Sequence, residues 1–282
     1  LGYQEYYGFS LEPFANHPDP KFYFNSPQHA LAREYLLHAA RGARGLAVLL
    51  GDIGTGKTTL ARKILSELYT MGKFQIGLIV LTHSEFSPTW LYTRIANLIG
   101  LRDLSDSTTE IIARISQRLN EIYHRNERTV IIIDEANKIN NPSVLEEIRG
   151  LLNLEIGDTR LLSFILSGLP ELENFLASNR ALYQRIAVKV KLKSMGSDTV
   201  RSYVTHRLNV AGGTHRLDVA GNEREIFGPR ALDLICRYSE GRPRLVNIIC
   251  DNALLEGYLQ GKQEIDEFLI ERVVSNLGLK FE

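Results

Sequence analysis

The sequence predicts an α/β fold, a mainly parallel sheet covered by helices on both faces, followed by a small all-helical domain. Three observations carry that expectation. Between residues 27 and 192, short apolar runs alternate with stretches of helical spacing, as in strands joined by helical crossovers. A glycine-rich turn stands between the first of those runs and the helix after it. Beyond about Ser194 the strand-like runs stop and helical spacing alone continues.

The chain starts with an aromatic, proline-rich segment, residues 1–26. Ser26 then reads as the cap of a helix with Pro27 at its first position, reaching about residue 42. A strand over 45–50 leads into the glycine-rich turn and a helix over 57–70. Residues 74–81 read as the next strand, Ser87 and Pro88 open another helix, and a further one covers 108–125. The β-branched run at 129–134 is a buried strand, Asn141 and Pro142 start a helix to about 154, and 161–167 is a second buried strand. Residues 186–192 supply one more. Helical spacing then covers 198–211, 229–239, 243–258 and 265–276, with capping-box spacing at 222–225. The expected division is an N-terminal segment (1–26), an α/β domain (27–194) and a helical lid domain (195–282).

Composition narrows the class. The 282 residues carry 33 basic and 33 acidic side chains, a globular balance that argues against a surface wholly given to nucleic acid. Cys236 and Cys250 lie in apolar helical stretches and read as reduced core thiols, and the seven histidines lack metal-ligand spacing. No apolar run approaches the ~18 residues of a membrane helix, and the first residues do not form a signal peptide. A cytoplasmic protein is expected, at the inner face of the membrane if the native chain continues past 282 into a membrane segment.

The chemistry gathers at two motifs. Gly51, Asp52, Ile53, Gly54, Thr55, Gly56, Lys57 and Thr58 match the P-loop pattern between a strand and a helix, with Thr59 following. Glycines let backbone N–H groups converge on phosphate oxygens, and the helix N-terminus adds its positive end. Lys57 reaches the β and γ phosphates of ATP, and Thr58 ligates Mg²⁺. Downstream, the strand at 129–134 delivers Asp134, which holds Mg²⁺ through water, and then Glu135, the base for the attacking water. Ser167 ends the next buried strand, where its hydroxyl could meet the γ-phosphate. Arg185 and Arg180 precede the following strand, as surface charges or as fingers reaching a neighbouring copy's ATP. Arg244 opens a helix in the second domain and is the arginine expected to turn back onto the γ-phosphate.

Those arginines, the two-domain split and the paired motifs together resemble the AAA+ P-loop NTPases. A narrower resemblance comes from Tyr7, Gly8, Phe9 and Ser10 with Pro13 and Phe14, then Pro18, Asp19 and Pro20, the Phe22–Phe24 stretch, and Ser26 to His29. With the P-loop, the Asp-Glu-Ala at 134–136, the stretches 168–172 and 183–186, and Gly241 to Asn247, this is similar to the general secretion pathway protein A (ExeA-type) ATPases over nearly the whole chain. The resemblance implies an ATPase that self-associates as a ring or arc and works with protein partners of an envelope machine. Secretin assembly across peptidoglycan, pilus biogenesis and exopolysaccharide export are the usual contexts. In that family a glutamine usually follows the glycine after the sensor strand, where this chain has Leu169. Members also often continue into a membrane segment and a peptidoglycan-binding domain. The alternative is a nucleic-acid-dependent regulator like the target-selecting ATPases of transposons. Its candidate basic residues are Arg41, Arg44, Arg62, Lys63 and the lysines of 189–193, though charge neutrality favours solvated faces.

Overall fold

A computed structural model describes residues 2–17, 19–83, 86–212 and 225–279. In chain order the elements are α1 (Tyr3–Tyr7), α2 (Pro27–Arg41), β1 (Leu46–Gly51), α3 (Lys57–Thr70), β2 (Phe74–Val80), α4 (Pro88–Leu98) and α5 (Thr108–His124). There follow β3 (Arg128–Asp134), α6 (Pro142–Leu151), β4 (Glu155–Ile156), β5 (Thr159–Arg160), β6 (Leu162–Gly168), α7 (Glu171–Ser178), α8 (Arg180–Tyr183) and β7 (Ile186–Leu192). The last are α9 (Ser197–Val210), α10 (Pro229–Tyr238), α11 (Pro243–Leu259) and α12 (Glu267–Asn276). Two compact units result. A sheet unit holds 27–52 and 57–192, and a helical unit holds 53–56 with the described residues of 2–26 and 193–279.

In the sheet unit five strands run in the order β2-β3-β6-β1-β7, every neighbouring pair parallel. The three inner strands β3, β6 and β1 are buried almost throughout, as a parallel sheet covered on both faces requires. Edge strand β7 instead alternates, with Lys189 and Lys191 exposed, which discourages pairing with another chain. Leu49 stands opposite Ser167, Leu166 opposite Ile133, and Asp134 opposite Val80. The carboxyl ends of β1, β3 and β6 therefore lie level and bring Gly51, Asp134 and Ser167 to one edge of the sheet.

Local chemistry explains the helices. The Ser87 hydroxyl accepts from the Trp90 amide at 3.1 Å, and Asn141 accepts from the Ser143 amide at 3.0 Å, each with proline at the next position. Gly77 lets α4 close onto β2, since a Cβ there would lie 2.6 Å from the Leu98 side chain. The sequence reading has no counterpart for α1, for α7 and α8, or for the β4–β5 hairpin, which turns through Gly157 at φ 56°.

The helical unit has its own core, in which Tyr7 and Phe14 join Val200, Ile235, Ile249 and Ile270. Arg207 organises it. The side chain is 6% exposed; Nε donates to the Pro13 carbonyl and Nη2 to the Ala15 carbonyl at 3.0 Å. Its guanidinium lies 4.4 Å from the centre of the Phe22 ring, within cation–π range. Tyr7 donates to the Lys262 carbonyl at 2.8 Å and Tyr3 to Asp251 at 2.6 Å. The N-terminal segment is thus built into this unit by contacts about 200 residues apart in sequence. The capping-box spacing at 222–225 lies outside the described residues except for Glu225. Among the described residues no helix is long and apolar enough to cross a membrane.

Candidate nucleotide site

Strand β1 carries the chain to Gly51, and α3 begins six residues on at Lys57. Between them Gly54 and Gly56 take φ of 80° and 95°, a region a side chain reaches only at a cost, so the path of the turn depends on glycine. Asp52 and Ile53 are exposed and Thr55 is buried; Gly54, Gly56, Thr58 and Thr59 are half-buried. Lys57 is 7% exposed, and its Nζ donates to the Gly51 carbonyl at 2.8 Å and the Asp52 carbonyl at 3.0 Å.

Charge around that amine is unevenly balanced. Burial lowers its pKa from the usual lysine value, while the carboxylates of Glu135, Asp134, Asp52 and Glu171 pull it upward without cancelling the effect. The four acids favour the ammonium form, but by less than burial disfavours it. Glu171, at the start of α7, is a member of the group that sequence reasoning missed, because nothing local links it to a lysine more than a hundred residues earlier.

Asp134 ends β3 at 1% exposure, and both its oxygens are engaged. The Thr58 hydroxyl donates to Oδ2 at 2.7 Å, and the fully buried Ser167 hydroxyl donates to Oδ1 at 2.7 Å. Ser167 thus acts on Asp134 from the neighbouring strand. Glu135 follows at φ 58° and ψ 33°, a left-handed conformation that costs a non-glycine residue on the order of 1 kcal/mol. Just beyond, Asn137 Oδ1 accepts from the Leu169 amide at 3.0 Å. Gly168 permits that approach, since a Cβ there would lie 3.0 Å from the Asn137 amide nitrogen. The amide that pins the end of β6 to the Glu135 turn therefore comes from Asn137, and the bond to Leu169 uses only its backbone. Nothing in the sequence singles out Asn137 from its polar neighbour Lys138.

The structure brings together Lys57, Thr58, Asp134, Glu135 and Ser167. No hydrogen bond or ion pair among the described residues joins Arg180 or Arg185 to them. Arg180 is exposed at the start of α8, and half-buried Arg185 donates through Nη1 to the Arg149 carbonyl at 3.4 Å. In the helical unit the Arg244 amide donates to the Gly54 carbonyl at 3.4 Å. Two hard oxygen donors 2.7 Å apart, the Thr58 hydroxyl and the Asp134 carboxylate, suit a magnesium ion that keeps several waters and completes its shell with phosphate oxygens.

Comparisons with known proteins bear on the family and the fold. A family described as an AAA domain matches residues 40–176. The chain is 32% identical over 266 residues to general secretion pathway protein A of Aeromonas hydrophila, covering 93% of itself and 46% of that protein. It therefore spans under half the length of the curated relative it matches. Among solved structures, it is similar to the ORC2 protein of Aeropyrum pernix at TM-score 0.68 and 17% identity, over 95% of this chain and 72% of that one. It is also similar to the Drosophila ORC bound to DNA, at TM-score 0.70 and 18% identity over 95% and 65% of the two chains. The Thermotoga maritima RuvB branch-migration motor follows at 0.56 and 17%, over 92% and 74%. At these identities the structures speak for the fold alone.

Proposed function

Because the chain belongs to the AAA+ ATPases, in the branch of general secretion pathway protein A, we infer that it couples ATP hydrolysis to assembly or gating of a cell-envelope secretion, pilus or export machine. The observation that carries the catalytic reading is Asp134, held between Thr58 and Ser167 at the strand ends beside Lys57 and Glu135. Lys57 binds the β and γ phosphates, together with the N–H groups of the glycine turn. Thr58 and, through water, Asp134 would hold Mg²⁺, which when bound neutralises charge on the phosphate oxygens. Glu135 orients the attacking water and takes its proton on a carboxylate oxygen. Ser167 keeps Asp134 in place. Arg244 answers the γ-phosphate, and Arg185, or Arg180 in its place, does so from a neighbouring copy in a ring or arc.

Replacing Glu135 with Gln tests the base. The amide keeps the shape without accepting the proton, so turnover should fall ~10²-fold or more with ATP affinity kept. Wild-type turnover would move the base elsewhere. A mixing experiment tests the finger: Arg185→Ala and Lys57→Ala should each be inactive, and the mixture should regain activity with rising protein concentration. An arginine supplied in trans contributes ~10³-fold or more, so the recovery should be plain. A dead mixture of co-assembled variants passes the role to Arg180.

The envelope role rests on the relative's name and on similarity across 93% of this chain. Its setting is the cytoplasm or the inner face of the membrane, and its partners are proteins. In a cell dependent on this protein, Lys57→Ala should stop assembly of the envelope machine while its components stay at normal levels. Normal assembly would remove the role.

A further inference from the structure

At the amino ends of β2 and β3 the sheet unit holds a cleft of about 800 Å³ lined by Arg41, Lys73 and Arg128 together with Met71, Phe74 and Tyr123. The sheet register puts it there. Phe74 stands opposite Arg128, and the Arg128 amide donates to the Lys73 carbonyl at 3.0 Å, so two of the cations meet at the first rung of the β2–β3 ladder. Asp134 is at the far end of the same strand, about 20 Å away at the rise of a seven-residue strand. This cleft is separate from the P-loop.

Its charge is uncompensated. Arg41, Lys73 and Arg128 are all exposed, and no hydrogen bond or ion pair among the described residues engages their side chains. The one acid on the rim, Glu127, is in an ion pair with Arg125 at 3.3 Å. In a chain with equal numbers of basic and acidic residues, three cations without an acidic partner around one cavity form a local positive concentration that favours an anion there.

We propose that this cleft is a second ligand site, which takes a small phosphorylated molecule carrying a ring, of about nucleotide size. The volume falls in the range of small-molecule sites, which pair apolar walls with a few polar groups that fix orientation. Two guanidinium forks and an ammonium suit phosphate oxygens, and Met71, Phe74 and Tyr123 give a ring an apolar face. A single-stranded nucleic acid would instead need a basic track running over several nucleotides, whereas these cations surround one cavity.

The test uses the full chain with Lys57→Ala, to silence the P-loop, against the same protein carrying Arg41→Ala and Arg128→Ala as well. Fluorescent N-methylanthraniloyl-ADP, inorganic pyrophosphate and a 20-nucleotide oligothymidine are the probes. The ADP analogue should bind the first protein saturably, more tightly than pyrophosphate, and bind the second at least about tenfold more weakly. Equal binding to both proteins, or no binding to the first, overturns the site. Pyrophosphate binding as tightly as the analogue overturns the ring. Oligothymidine binding more tightly than the analogue, and lost in the second protein, makes the cleft a nucleic-acid face and overturns the small-molecule reading. Arg41→Ala with Arg128→Ala on an intact P-loop should leave basal ATP hydrolysis unchanged, so failure here is distinct from failure of the catalytic assignment.

Discussion

Each unit buries a basic side chain against main-chain carbonyls, and the two are built for opposite ends. Arg207 sits on α9, donates to Pro13 and Ala15, and lies beside the Phe22 ring. Its partners are all in place and its cage is complete. Lys57 sits at the mouth of a glycine turn, donates to Gly51 and Asp52, and faces four carboxylates. Those carboxylates still do not offset its desolvation, since its pKa is lowered rather than raised. By linkage, a lysine with a lowered folded pKa makes the charged form less favourable folded than unfolded below the unfolded pKa of ~10.4. Burial and carbonyl contacts look alike at the two sites; what separates them is that the guanidinium ends on neutral carbonyls, a tyrosine hydroxyl and rings of its own unit, whereas the ammonium stands among carboxylates at a glycine turn.

The largest contrast should appear on truncating each. Lys57→Ala should abolish ATP binding at the P-loop in titration calorimetry, leaving at most the binding that Arg41→Ala with Arg128→Ala removes, while thermal unfolding stays at or above the wild-type midpoint, because the charge it removes is one the fold disfavours. Wild-type affinity would dismantle the site, and a lower midpoint would make Lys57 a structural residue. Arg207→Ala should do the reverse. Two carbonyls lose a charged donor and a cavity opens among rings, a loss of about 3 kcal/mol. Arg207→Lys should recover part of this, since an ammonium keeps the charge but not the fork. A variant that unfolds like wild type would show that the N-terminal segment is held by its aromatic side chains alone.

Ser167→Ala probes the sheet unit more gently. Asp134 keeps Thr58 but loses the donor to Oδ1, which should cost about 1 kcal/mol, or roughly fivefold in kcat, with KM unchanged. A shift in KM with kcat intact would instead favour contact between this hydroxyl and nucleotide.

How far the sequence reveals these features depends on how local their causes are. Strands β1, β3 and β6 are continuous apolar runs because both faces are covered, and α3 and β7 have the very bounds that the spacing predicts. The β4–β5 hairpin is too short to show any period. Helix α7 does carry Leu172 and Leu176 one turn apart, but the proline before it reads first as a turn. In the candidate site, Lys57, Thr58, Asp134 and Glu135 are legible because two contiguous motifs name them. Asn137 and Glu171 act across loops that the sequence keeps apart, and Ser167 shows its partner, 33 residues away, only in three dimensions. The N-terminal segment reveals its composition in sequence but not its destination, since Arg207 lies 194 residues from Pro13.

The smallest expected effect lies beside Arg207 and tests how completely that cage is closed. His206 is half-buried with its ring 5.4 Å from that of Phe24, and its pKa is lowered, first by desolvation and then by the Arg207 charge, against a backbone hydrogen bond with Tyr23 that raises it. A histidine whose folded pKa is depressed takes up its proton later than the unfolded chain does as pH falls. Stability should therefore be unaffected above the unfolded value of about 6.5 and should decline as pH drops below it, until the folded histidine also titrates. The decline should be slight, because solvent screens a half-exposed group. His206→Gln should flatten the thermal midpoint between pH 7 and 5 relative to wild type, with the remaining slope coming from carboxylates elsewhere. If the wild-type midpoint instead rises on acidification while the Gln variant's does not, the imidazolium is stabilised in the fold. The region around Arg207 would then have room for a second positive charge, and the contrast with Lys57 would lose its basis.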